Sequence, residues 1–234
     1  MQLYIIRHAQ STNNALFDPR ERVCDPPLTE LGRRQAQILA EHLATGHDLD
    51  PYGNRSGAPG YGFDQLWVSP MWRALQTAQP IARALGLRVR VRLDIHEQGG
   101  IFLDHGAERG RVGYPGRLRS EVLAEFPDYD LPDQLTDAGW WRQGYEPPEA
   151  CFVRAAGVLA ELRGRAAGEE RIALLTHGAF IDAFLKALFG QALECPLFYY
   201  SYNTAISRLQ FHADGRIDVH YLNRVTHLPL ALVS

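Results

Sequence analysis

The chain has 234 residues, 46 % hydrophobic and 22 % charged, with a net charge of −3 at pH 7. Chains of this length bury roughly 70 % or more of their unfolded surface, so a full core is affordable, and the ordinary composition excludes a disordered chain or a membrane helix bundle. The slightly acidic balance speaks against a general nucleic-acid footprint, and Lys186, the one lysine, follows Leu185, which excludes a Gly-Lys phosphate loop.

Residues 3–6 form a short apolar run and predict a buried strand. Residues 28–43 predict a helix with Thr29 as N-cap and with Ala36, Leu39, Ala40 and Leu43 on one face. Residues 45–62 are glycine-rich and polar, and a mobile loop is expected there. A second strand is predicted over 63–68, ending at Ser69-Pro70. A helix over 71–85 follows, closed by Gly86 and expected to kink at Pro80. Residues 87–93 alternate, with Leu87, Val89, Val91 and Leu93 on one face and Arg88, Arg90 and Arg92 on a solvated one. Beyond them come a helix over 150–165, a buried strand over 171–175 and a helix over 180–189. A hairpin closes the chain, 205–212 with 216–222, around Ala213-Asp214-Gly215.

This alternation predicts an α/β fold, a three-layer sandwich with a mostly parallel sheet and one antiparallel strand. Residues 98–149 break the pattern with Gly99-Gly100, Pro115-Gly116 and Pro147-Pro148, and with one helical stretch near 117–126. They read as a cap-like insertion over the active-site rim, within a single domain spanning 1–234. The three cysteines, Cys24, Cys151 and Cys195, are odd in number and none sits in a C-x-x-C, against a disulfide framework or zinc finger. The start of the chain runs straight into a strand without a leader pattern, so a cytoplasmic location is expected.

Ligands of open α/β sheets bind beyond the carboxyl ends of the strands. Arg7 and His8 follow the first predicted strand, and Ser69 and then Arg73 follow the second. His177 and Gly178 follow the buried strand over 171–175, and Asp94, His96 and Glu97 follow the alternating one. Neutral imidazole is a good nitrogen nucleophile, and neighbouring arginines disfavour its protonation. The same guanidinium groups grip phosphate oxygens in pairs. His177 and the N–H of Gly178, opening a helix, offer further donors. Glu97 suits a general acid that then becomes a base, with Asp94 and Glu108 as competitors. These residue types on one rim point to phosphoryl transfer onto a histidine.

Arg7-His8-Ala9-Gln10-Ser11-Thr12-Asn13-Asn14 resembles the R-H-G-[EQ]-[ST]-x-x-N signature of the histidine phosphatase superfamily, the phosphoglycerate mutase-like fold. Further blocks resemble the family in the same order. They are residues 28–36 (L-T-x-x-G-x-x-Q-A), residues 69–78 (S-P-x-x-R-A-x-x-T-A), Thr176-His177-Gly178, and Tyr202-Asn203-Thr204. The resemblance implies His8 as the phosphorylated nucleophile, Arg7, Asn14, Arg73 and His177 as the phosphate pocket, and Glu97 as proton donor. Gln10 and Ser11, in the same block, and Gly178 are read as substrate-binding positions. Asn14 also fits a turn or cap residue. Ala9 stands where the family has glycine.

Other chemistries fail on spacing. His96-Glu97 lacks the second histidine of H-E-x-x-H, and no C-x₅-R or G-x-S-x-G is present. No metal and no cofactor are expected. The arginines between Arg109 and Arg119, with Tyr114, either form a solvated loop or contact a second anionic group of the substrate. Trp140 and Trp141 read as packing for the base of the insertion.

The expectation is therefore a metal-independent phosphomonoesterase acting on small phosphorylated metabolites, with neither nucleic acid nor membrane as partner and a homodimer left open. A phosphoglycerate mutase and a catalytically silent interaction module are the alternatives. The resembling mutases carry tryptophan at the place of Asn13 and a Gly-Leu-Asn-Lys block that is missing here, and the charged pocket residues are all present.

Overall fold

The computed structural model describes residues 1–46, 48 and 60–234. Most of the loop expected over 45–62 lies outside the described residues. In chain order the elements are β1 (Gln2–Arg7), α1 (Glu30–Thr45), β2 (Gln65–Val68), α2 (Trp72–Leu85), β3 (Val89–Val91), β4 (Phe102–Asp104), α3 (Gly106–Arg109), β5 (Arg111–Gly113), α4 (Arg119–Glu125), α5 (Pro148–Gly164), β6 (Arg171–Thr176), α6 (Gly178–Leu188), β7 (Ile206–Phe211) and β8 (Ile217–Arg224).

The main sheet runs β3-β2-β6-β1-β7-β8. β1, β6, β2 and β3 are mutually parallel, and β7 runs antiparallel to both β1 and β8. The expected three-layer sandwich with one antiparallel strand is what the chain builds. Strand alternation sorts the core. Tyr4 and Ile6 of β1 face a cluster holding Leu39 and Leu43 of α1 and Leu75 and Ile81 of α2. Leu3 and Ile5 face the opposite cluster, with Val158 and Leu162 of α5 and Phe180 and Phe184 of α6. Among the described residues no helix is long and apolar enough to cross a membrane.

The helix ends follow the chemistry read from the sequence. Thr29 caps α1 by accepting from the Gly32 N–H at 2.9 Å. Gly86 ends α2 in the left-handed region at φ 64°, and α2 runs continuously through Pro80. The alternating stretch yields a shorter strand than 87–93, because a 3-10 turn takes over at Leu93–Ile95. Its arginine face is only partly solvated: Arg92 lies 4.3 Å over the Trp67 ring and pairs with Asp94 and Glu161.

The insertion is more deeply built into the molecule than a surface cap. It contains the small β4-β5 sheet as well as α3 and α4. Val122, Phe126, Leu135, Trp140 and Trp141 join the core of the α1–α2 side. Asp130 also exchanges backbone hydrogen bonds with Val89 and Val91, at 2.8 and 2.9 Å, and so covers the β3 edge of the sheet. Trp140 and Trp141 are buried and pack on the His96 ring.

Candidate active site

Parallel pairing brings the carboxyl ends of β1, β2 and β6 to one rim. β1 and β6 pair to their last residues, Arg7 opposite Thr176, and His8 then donates its N–H to the Thr176 carbonyl at 2.9 Å. Asn203 holds the His8 carbonyl through Nδ2 at 2.8 Å, and the Thr204 N–H donates to the Arg7 carbonyl at 3.1 Å. Ala9 is fully buried and gives its N–H to Thr77 Oγ1 at 3.1 Å. Non-glycine residues with positive φ are Thr204 and Asn223 among the described residues, so Ala9 carries no left-handed strain in place of glycine.

His8 has a defined tautomer. Its Nδ1 lies 2.6 Å from the Ala9 carbonyl, an acceptor only, so Nδ1 carries the hydrogen. Nε2 is then a bare lone pair, and Arg73 Nε donates to it at 3.1 Å. Burial first, then the charges of Arg73 and Arg7, hold His8 well below the ordinary histidine range. The imidazole is therefore neutral at pH 7. The His177 ring lies 4.9 Å from that of His8, centre to centre. Its Nε2 is 2.6 Å from Ser69 Oγ, and its buried Nδ1 has no hydrogen-bond partner. Burial, then Arg73 and His8, also keep His177 well below the ordinary range.

The arginines are held from behind. Arg7 Nη1 donates to the Ser201 carbonyl, and its buried Nε is unsatisfied. Arg73 is 8 % exposed and lies 3.8 Å from the buried Asp25. Burial raises the Asp25 carboxyl to about 6, against the opposing charge of Arg73. Unspent buried donors beside a neutral imidazole suit an anionic ligand.

Glu97 reaches the rim from the other side. Its Oε1 accepts from the Phe180 N–H at 3.0 Å and its Oε2 from the Ala179 N–H at 3.4 Å, in the first turn of α6. Arg154 of α5 fixes the approach by donating to the Asp94 and His96 carbonyls, both at 2.9 Å, and to Glu146 at 2.6 Å. The competing acids are placed elsewhere: Asp94 pairs with Arg92, and Glu108 is exposed on α3.

A cavity of about 360 Å³ gathers Arg7, His8, Ser11, Asn14, Arg73 and Glu97 in its walls, together with Asn13, Arg22, Cys24, Gln98 and Phe102. Asn14 Oδ1 accepts from both the N–H and the Oγ of Ser11, at 3.0 and 2.8 Å. Gln10 turns away: its side chain accepts from Thr29 Oγ1 at 2.7 Å and its N–H donates to Gln35. Gly178 packs behind Arg7, where an added Cβ would sit 3.6 Å from Nε. Arg109 is exposed, and Tyr114 is half-buried with its hydroxyl 2.9 Å from His105; neither reaches the cavity walls. Three larger hollows, of about 540, 580 and 540 Å³, open on other faces, and no histidine lines them. Among the described residues no group of three or more His, Cys, Asp or Glu is placed to hold a metal ion.

Sequence reasoning gave no role to Asp25, Asn203, Arg22 or Arg154. Asn203 sits in a block that resembles the family, and that was its only signal. Asp25 and Arg22 lie in an aperiodic stretch, and Arg154 looks like any charged position of an amphipathic helix.

The family model described as histidine phosphatase superfamily (branch 1) matches residues 3–224. Phosphoserine phosphatase 1 of Hydrogenobacter thermophilus is 28 % identical over 199 residues, covering 83 % of this chain and 79 % of that protein. The probable phosphoglycerate mutase GpmB of Yersinia pestis is 22 % identical over 213 residues, covering 90 % and 85 %. Among solved structures, mycobacterial glucosyl-3-phosphoglycerate phosphatase complexed with VO3 shares the fold with a TM-score of 0.61. It is 23 % identical and covers 96 % of this chain and 99 % of its own.

Proposed function

Because the chain belongs to the histidine phosphatase superfamily (branch 1), matched over residues 3–224, we propose that it hydrolyses small phosphate monoesters through a phosphohistidine on His8, without a metal. One observation carries this reading. The bare Nε2 lone pair of His8 meets the Arg73 guanidinium at 3.1 Å, with Nδ1–H committed to the Ala9 carbonyl.

An entering phosphate takes the Arg73 and Arg7 donors and frees Nε2 for in-line attack. The N–P bond forms as the ester P–O bond breaks, and Glu97 gives its proton to the leaving oxygen. The ring becomes cationic, and its Nδ1–H remains on the Ala9 carbonyl. Glu97 then takes a proton from water, whose oxygen attacks phosphorus. The N–P bond breaks, orthophosphate leaves, and His8 and protonated Glu97 are restored. Arg7, Arg73 and, when the Ser69 hydroxyl donates to Nε2, the unspent Nδ1–H of His177 supply the fixed donors that such a charged transition state needs. The relatives named as phosphatases, for phosphoserine and for glucosyl-3-phosphoglycerate, support a small metabolite as the ester.

Mutase activity is the second reading, favoured by the similarity to GpmB. Against it stands Asn13, whose side chain is committed to the backbone of Val23, at the place where the resembling mutases carry tryptophan. A phosphatase screen with chelator present tests the proposal. Orthophosphate release should persist in chelator, a quenched reaction should carry acid-labile, base-stable phosphate on His8, and H8A should abolish both. Label on serine or cysteine refutes the mechanism, and activity lost to chelator and restored by a divalent cation refutes metal independence. Isomerisation of phosphoglycerate outpacing orthophosphate release favours the mutase.

A further inference from the structure

The cationic wall of the cavity extends beyond what a phosphate needs. Arg22 lines the same cavity as Arg7 and Arg73, and its charge is felt at Arg73. Its neighbours in sequence and space are paired: Arg20 chelates Asp18 at 2.6 and 2.9 Å, and Arg73 leans on Asp25. The Arg22 guanidinium has neither hydrogen bond nor ion pair among the described residues.

Its backbone, by contrast, is anchored. Asn13 closes two hydrogen bonds on Val23, donating Nδ2 to the carbonyl at 2.8 Å and accepting the N–H on Oδ1 at 3.1 Å. Thr12 donates to the Pro27 carbonyl at 2.9 Å, and Asp25 accepts from the Trp72 N–H at 3.0 Å. Arg22 therefore projects from fixed main chain, which lowers the entropic cost of ordering it on a ligand.

Other candidates for a second anion contact are already used. Gln98 Nε2 is bound to Tyr145 Oη and the Glu146 carbonyl. Arg111 pairs with Asp104, Arg117 with Glu121, and Arg119 caps the Pro132 and Leu135 carbonyls.

We propose that Arg22 binds a second anionic group of the substrate, so that the preferred esters are small phosphate monoesters also bearing a carboxylate or a second phosphate. This rests on the phosphomonoesterase reading above. Guanidinium presents paired donors to either group, and a cavity of about 360 Å³ accepts a small metabolite.

Two matched pairs of esters test it. 3-Phosphoglycerate and glycerol 3-phosphate differ by a carboxylate against a hydroxymethyl. Fructose 1,6-bisphosphate and fructose 6-phosphate differ by a phosphate. R22Q should lower kcat/KM for the more anionic member of one pair by roughly 10- to 100-fold, mainly through KM, and for its partner by less than about threefold. R22K should recover part of the loss, and N13A should weaken the same substrate in the same direction. A loss confined to the first pair identifies a carboxylate, and one confined to the second a phosphate. An equal loss on both members of each pair, or none on any, overturns the assignment. Phosphohistidine formation from p-nitrophenyl phosphate, followed alongside, separates the two readings. Its presence with a flat Arg22 response sinks the Arg22 assignment alone, and its absence from wild type sinks both.

Discussion

Arg73 directs its Nε–H at the Nε2 of His8 across 3.1 Å, so in the free protein the cation that we propose grips phosphate covers the lone pair that we propose attacks it. Burial first, then this cation and Arg7, keeps His8 well below the ordinary histidine range, and His177 behaves alike. Both rings should stay neutral as pH falls through 6.5. Imidazole ¹⁵N spectra should show His8 as the Nδ1–H tautomer at pH 5.5 as at pH 8. The linkage sign follows. An unfolded chain protonates these rings below about 6.5 while the folded one does not, so the stability they allow is full above that value and declines as pH falls below it. A His8 resonance titrating near 6.5 would contradict this.

Asp25 works in the opposite sense. Its carboxyl is raised to about 6 by burial, so its contribution to stability is full below about 3.8 and is lost as pH rises through 6. D25N lacks that loss. The stability of D25N relative to wild type should rise by up to about 3 kcal/mol between pH 4 and pH 7, at 1.36 kcal/mol per pKa unit. Urea denaturation at the two pH values measures it, and a flat difference would mean that Asp25 stays ionised throughout.

Gly32 needs the absence of a side chain for a reason of space. An added Cβ would stand 2.0 Å from the Gln10 carbonyl oxygen and 2.9 Å from its carbon. Gln10 is also tied to Thr29 through its carbonyl at 3.0 Å, so neither backbone can yield alone. G32A should cost roughly 2–4 kcal/mol and should lower kcat as well, because the displaced backbone lies two residues beyond His8. Full activity in a destabilised G32A would show that the loop absorbs the strain before it reaches His8.

That contact explains why so much of the site was legible. Thr29 caps α1, and Gly32 and Gln35 lie on it; Thr29 and Gln35 bind Gln10, just after β1, and Gly32 packs on its backbone, so the spaced residues of two blocks are one packing arrangement. Strand ends were legible because buried apolar runs stop at the polar rim. The extent of β3 was not, since a 3-10 turn interrupts it and its edge pairing comes from Asp130, 39 residues beyond Val91, which no local pattern signals. The arginine cluster of the insertion drew attention by composition, yet most of it is spent on Asp104, Glu121 and main-chain carbonyls. Arg22, a single arginine in an aperiodic stretch, gave no such signal and lines the cavity.

The proposed acid-base role falls to Glu97, which hangs from the first turn of α6 and whose approach Arg154 fixes through the Asp94 and His96 carbonyls. E97Q should slow phosphorylation of His8 by alkyl phosphates roughly 10²–10⁴-fold, because an alkoxide leaves only with a proton. It should slow phosphorylation by p-nitrophenyl phosphate far less, since nitrophenolate needs none, while hydrolysis of the phosphohistidine suffers with either substrate. R154K keeps a cation near the buried Glu146 and avoids the 3–5 kcal/mol of a stranded charge, but a single ammonium cannot hold two carbonyls and a carboxylate as the guanidinium does. Glu97 then loses its alignment, not its chemistry. R154K should lower kcat for alkyl phosphates about tenfold with KM little changed, and leave the p-nitrophenyl phosphate burst nearly intact. Single-turnover bursts on both esters decide the matter. Equal losses on the two would make Arg154 a merely structural residue and, in E97Q, would move the general acid to another group.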